Sequence, residues 1–140
     1  MDFFYCCSVI LDGINLNIEH GSGDKYPLFV KTLHDLMLTD ASRYYVITST
    51  PQCPFPDRFM EKTLTEQGHL IKDVYVQFYN NYCTPADRFF SEIFQKWIEL
   101  ARNKKMNVYI GLSGHTNTTI DPSFYMEHED VEKLYKVCYS

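Results

Sequence analysis

Leu11-Asp12-Gly13-Ile14-Asn15-Leu16-Asn17-Ile18-Glu19 alternates strictly between apolar and polar side chains. Ile14, Leu16 and Ile18 fall on one side, and Asn15, Asn17 and Glu19 on the other. A period of two predicts a strand whose two faces meet different surroundings. The polar row ends in a carboxylate, and His20-Gly21-Ser22-Gly23 follows at once. A strand that ends in a carboxylate and opens into a Gly-rich loop is where a parallel α/β sheet carries its chemistry.

The rest of the chain supplies the partners of that strand. Asp24 is placed to cap a helix over 25–38, with Phe29, Leu33, Leu36 and Met37 as its apolar stripe. Tyr44–Ser49 is rich in β-formers and predicts a second strand. Thr50-Pro51-Gln52-Cys53-Pro54-Phe55-Pro56-Asp57 holds three prolines in six residues, which forbids helix or central strand. Asp57 can cap a short helix from Arg58 to about Leu64. Val74–Asn80 alternates again, with Val74, Val76 and Phe78 opposite Tyr75, Gln77 and Tyr79. Thr84-Pro85 reads as a cap followed by proline at the first helical position. The apolar face of that helix is Ala86, Phe90, Ile93, Phe94, Trp97 and Ala101. Residues 108–114 make a fourth strand, and 127–137 a last helix on Val131, Leu134 and Tyr135. Residues 3–8 read equally as strand or as a helix end. The pattern β-α-β-α-β-α-β-α implies a parallel sheet with helical crossovers.

The 140 residues are 45% hydrophobic with a net charge of −5 and five cysteines, an ordinary globular composition with enough chain for one core. Mild acidity without a Lys/Arg cluster argues against a nucleic-acid or membrane-surface partner. No apolar run reaches transmembrane length. The start, Met1-Asp2-Phe3-Phe4-Tyr5-Cys6-Cys7, lacks the basic opening of a secretory signal. An odd cysteine count leaves at least one thiol free or paired outside the chain. Asn117-Thr118-Thr119 is a glycosylation sequon in the polar loop 115–121.

Several of these words carry a resemblance. Asp12, Gly13, Ile18, Glu19, Gly21 and Ser22 fit the Asp-Gly-x-Asp-x-Asp-x-Glu strand of family 18 glycoside hydrolases. Pro-Gln-Cys-Pro-Phe-Pro-Asp (51–57) is nearly the loop after the fifth barrel strand of the class III, hevamine-type branch. Val-Gln-Phe-Tyr-Asn-Asn (76–81) resembles its sixth strand, and 108–114 its seventh. The implied fold is α/β, a partial (β/α)8 TIM barrel of about strands four to seven in a single domain over 1–140. Full barrels of this kind run to ~250 residues. The resemblance pairs Cys53 with Cys83 in a disulfide and implies an extracellular setting, against which the absent signal stands.

The same resemblance assigns roles. Glu19 is the acid that protonates the leaving oxygen in a retaining, substrate-assisted hydrolysis of N-acetylglucosamine polymers. Tyr79 orients the acetamido oxygen. Asp12, Gln52, Gln77 and Asn80 bind substrate, and no metal or cofactor takes part. The family has aspartate where this chain has Asn15 and Asn17. An amide oxygen still accepts the acetamido N–H, but the anion that balances the intermediate is gone. Losing preorganised charge at a developing ion costs on the order of 3–4 kcal/mol. Three functions follow: a weak chitinase, a lectin-like chitin-binding protein, or a vestigial product. The open edges of a half-barrel imply self-association.

Overall fold

The computed structural model describes residues 5–6 and 9–138. Tyr5–Cys6 (β1) and Val9–Ile10 (β2) pair antiparallel, which resolves part of the stretch that the sequence leaves open. The rest is α/β. Gly13–Leu16 (β3), Val46–Ser49 (β4), Asp73–Gln77 (β5) and Asn107–Gly111 (β6) form one parallel sheet in the order β3-β4-β5-β6. Tyr26–Met37 (α1), Glu61–Gln67 (α2) and Phe90–Lys104 (α3) are the crossovers, and His128–Cys138 (α4) follows β6. All four strands appear in the expected order, each shorter than its apolar run. Gly13 stands opposite Val46, and a Cβ there would collide with the Val46 carbonyl oxygen. The glycine of the opening stretch is thus required by close strand approach.

The sheet has two unlike faces. Leu16, Ile47, Val74 and Val76 are buried in one core with Val30, Leu33 and Met37 of α1, Leu64 of α2, and Ile93, Trp97 and Ala101 of α3. Each large apolar side chain removed from water in this way contributes about 1.5–3 kcal/mol. The opposite face is bare among the described residues. It carries Asn15 beside Thr48, and Tyr75 beside Tyr109. The two tyrosine rings stack at 4.9 Å and remain 39% and 45% exposed.

Four helical expectations are corrected. On α1 the buried stripe is Pro27, Val30, Leu33 and Met37; Phe29 lies one residue off that row and faces solvent, and Leu36 is half-buried. The cap before α1 is Ser22, whose hydroxyl accepts from Asp24 N, and Asp24 itself lies in the short 3₁₀ turn Gly23–Lys25. The helix expected from Thr84 begins only at Phe90. Asp87 interrupts it: its carboxylate accepts from Phe89 N and its carbonyl from Phe90 N, so the chain turns before it coils, and Ala86 is exposed. On α4, Leu134 packs on the core while Val131 and Tyr135 are exposed.

The proline-rich loop 50–57 is fastened from several sides. Cys53 is bonded to Cys83, with Cα atoms 6.0 Å apart. The Trp97 indole N–H donates to the Cys53 carbonyl at 2.9 Å, and Phe55 packs edge-on against the same ring at 5.1 Å. The Phe55–Pro56 peptide is cis. Trp97 is 1% exposed, a core residue as its helical spacing predicts. Trp97→Phe keeps most of the packing but leaves the Cys53 carbonyl unpaired. It should cost about 1–3 kcal/mol in urea denaturation followed by far-UV circular dichroism.

Candidate functional site

The site is built at the C-terminal ends of β3 and β5, where the strand pleat sends Asn15, Asn17 and Glu19 to one side and Gln77 and Tyr79 towards them. Gln77 is the hub. Its Nε2 lies 2.7 Å from the Thr50 carbonyl, 3.1 Å from Asn17 Oδ1 and 3.2 Å from Glu19 Oε1, so that its two N–H bonds are shared among the three acceptors. An amide side chain exchanges its two ends by a half-turn. Turned over, Asn17 presents its nitrogen to Glu19 Oε1 at 3.0 Å and to the Thr50 carbonyl at 3.3 Å. Glu19 is thus met by the Gln77 amide and, in this second orientation, by the Asn17 amide.

Asn15 sits one pleat back. Its Oδ1 accepts from the Thr48 hydroxyl at 2.9 Å, and its Nδ2 donates to Thr50 Oγ1 at 3.1 Å. Tyr79 is half-buried, and its phenol is pushed above its usual range, first by burial and then by the Glu19 carboxylate. It therefore keeps its O–H, a donor, through the neutral range.

The loop 50–57 holds this group from below. Gln52 bridges to Gln77 through the backbone: Gln77 N donates to the Pro51 carbonyl at 2.8 Å, and Cys53 N to the Gln77 carbonyl at 3.2 Å. Asp57, 1% exposed, accepts from Gln52 N at 2.9 Å, Phe59 N at 2.9 Å and Met60 N at 2.6 Å. Burial pushes its carboxyl up, those backbone donors pull it down, and the Glu19 charge adds to the rise. Asp57 therefore does cap the turn before α2, and it also clamps the site loop.

Glu19, Asn17, Gln77, Tyr79 and the backbone of Gln52 are thus neighbours. Two expected binding residues stand apart. Asp12 precedes β3 at the other end of the strand, roughly 16 Å from Asn17 at 3.3 Å per residue. Asn80, in left-handed backbone with φ 59°, uses its amide oxygen to accept from Ile120 N at 2.8 Å and so ties down the loop after β6. Asn117 lies exposed in the 3₁₀ turn Thr116–Thr118 of that loop. Sequence reasoning missed Thr48 and Thr50, although their parity with Asn15 was a readable signal. It also missed the clamping role of Asp57, which no periodicity announces.

No protein-family model matches the sequence. Among curated proteins the chain is 31% identical to Chitinase 2 of Candida albicans over 108 residues, 77% of this chain and 18% of that protein. It is 38% identical to Chitinase 1 of Rhizopus niveus over 98 residues, 70% of this chain and 18% of that protein. Among solved structures it superimposes on the xylanase and alpha-amylase inhibitor protein of Scadoxus multiflorus with a TM-score of 0.71. That pair is 28% identical, covering 88% of this chain and 44% of the other. The chain spans about a fifth of those curated relatives and under half of the solved one. The fold is α/β with a four-stranded parallel sheet, consistent with part of the barrel of its solved glycoside-hydrolase-type neighbours. Within that class the chain is a chitinase-like domain of the family 18 type.

Two causes raise the Tyr79 phenol, and one of them is removable. Glu19→Gln deletes the electrostatic cause and leaves burial, so the phenol should titrate lower than in the parent but still above 10. A folded-state value above the unfolded one means that the group's contribution to stability is lost as pH rises through and beyond about 10. Ultraviolet difference titration, with Tyr79→Phe to assign the signal, reads the shift. An unmoved phenol in Glu19→Gln would separate Tyr79 from Glu19.

Proposed function

We propose that residues 1–140 act as a single partial barrel domain corresponding to strands four to seven of a family 18 barrel, and that its groove takes N-acetylglucosamine oligomers. The observation that carries this reading is the Gln77 amide, which joins Asn17 and Glu19 at the C-terminal strand ends above a braced loop. Chemically, Glu19 is the proton donor to the leaving oxygen, and Tyr79 offers an O–H to the acetamido oxygen. Asn17 accepts from the acetamido N–H through its amide oxygen but supplies no anion. Hydrolysis is therefore slow.

A second reading has its own support. With amides at 15 and 17, the positioning groups remain while the charge that balances a cationic intermediate is missing. Binding without turnover, as in a lectin-like protein, fits that chemistry. Titration with chitin oligomers combined with a turnover assay separates binding with hydrolysis, binding alone, and neither.

Asn15→Asp together with Asn17→Asp tests the charge directly. A carboxylate at position 15 still accepts from the Thr48 hydroxyl and takes the Thr50 O–H in place of the bond that Asn15 Nδ2 donates there, and one at position 17 still accepts from Gln77. The pair should raise hydrolysis by about 10²–10³ over the parent and by more than the two single changes combined, while oligomer binding changes little. No turnover in the double variant would leave only the binding or the vestigial reading.

The outer strands β3 and β6 and the bare tyrosine face support self-association of the 140-residue chain through its sheet. Parallel sheets are rarely left uncovered on one side. Sedimentation velocity should show dimers or larger species at micromolar concentration. A monomer persisting at high concentration would count against this.

A further inference from the structure

The end of the sheet opposite Glu19 holds a concavity of about 490 Å³. Its wall gathers Arg43, Lys72 and Lys105 with His34 and His69. These come from separate places: the end of α1, the segment before β4, the turn before β5, and the residue after α3. The chain as a whole carries a net charge of −5, so this concentration of cations runs against its average. Among the described residues Arg43, Lys72 and Lys105 form no ion pair within 4 Å.

Asp40 is the carboxylate of the wall, and it is already engaged. Its oxygens accept from the Ser42 N–H and hydroxyl and from the Tyr45 hydroxyl, and these bonds, with Arg43 acting at longer range, hold its carboxyl at about 2. The cavity therefore keeps two net positive charges before either histidine protonates. Neither do the cations serve the end of α1: the carbonyls of His34, Leu36 and Met37 accept from the backbone of Leu38, Thr39 and Asp40. Beside them Tyr44 is 77% exposed, with Lys72 Nζ 5.5 Å from its ring centre.

We propose that this cavity binds a small organic phosphate, its dianion facing Arg43, Lys72 and Lys105 and its organic part lying on Tyr44. Cations that line one cavity from several elements, without a carboxylate partner, favour a multivalent anion over a carboxylate, and a guanidinium matches phosphate geometry. An aromatic face under a cation favours a ligand with a flat or apolar portion. The site is remote from Glu19 and independent of the chitin-binding reading.

Calorimetric titration with phenyl phosphate and with inorganic phosphate at low salt tests this. Phenyl phosphate should bind one to one with a Kd below about 1 mM and more tightly than inorganic phosphate. Arg43→Ala with Lys72→Ala should weaken it at least about tenfold. Lys96→Ala with Lys133→Ala makes the same charge change on exposed helix faces and should leave affinity unchanged; circular dichroism verifies that both are folded. The proposal fails if no saturable binding is seen or if both double variants weaken it equally. Equal affinity for the two phosphates overturns the organic ligand.

Discussion

The loop 50–57 is the constraint on which the rest of the site depends. A loop with three prolines can make only a short bridge of backbone bonds to the sheet, here from Pro51 and Cys53 to Gln77. The chain adds other fastenings. The Cys53–Cys83 bond ties it to the segment after β5, and the Trp97 indole holds the Cys53 carbonyl from α3. Asp57 gathers three backbone N–H groups from inside the protein. A buried carboxylate without a cation is costly unless its oxygens are well satisfied. Here each oxygen has a partner, so the charge stabilises one loop conformation and disfavours others.

Because that loop is fixed, Gln77 is fixed. Its backbone is held on both sides by Pro51 and Cys53, and its amide by the Thr50 carbonyl. Only then does the remaining N–H capacity point at Asn17 and Glu19. A side chain pinned at three places loses little further freedom when a ligand arrives, which is what preorganisation means energetically. Packing of α3 behind the sheet is thus linked to the geometry of a polar group in front of it.

How much of this was legible in the sequence depended on which force decided each feature. Period-two alternation and crossover order follow from burial, and the four strands appeared where the apolar rows placed them. The cluster of Glu19, Asn17, Gln77 and Tyr79 was legible for the same reason: parity puts residues two apart on one face. Helix limits were less so. Thr84-Pro85 is a good local start signal, but Asp87 offers a competing hydrogen bond three residues later, and the competitor won. The stripe of α1 slipped by one position because Phe29 and Val30 are both apolar and only tertiary packing chooses between them. Asp12 and Asn80 show the limit of carrying roles along a motif. A strand places one end of its motif at the site and the other at the far end of the sheet, and Asn80 is spent on Ile120.

The two asparagines become intelligible from the same division of faces. Leu16 and Ile47 sit under the helices, so any loss of volume there is felt at once in stability. Asn15 and Asn17 lie on the open face, exposed, Asn15 bonded to hydroxyls and Asn17 to the Gln77 amide or, turned over, to the Glu19 carboxylate. Exchanging carboxylate for amide at such positions keeps the shape and most of the hydrogen bonds, and on an exposed face it changes stability by only about a few tenths of a kcal/mol. At a reacting centre the same exchange removes a fixed charge worth several kcal/mol to a cationic intermediate. Folding and catalysis therefore read different atoms of the same strand. The helix-packed side of such a sheet can persist unchanged when a carboxylate on its open face gives way to an amide, because the packing does not depend on that charge.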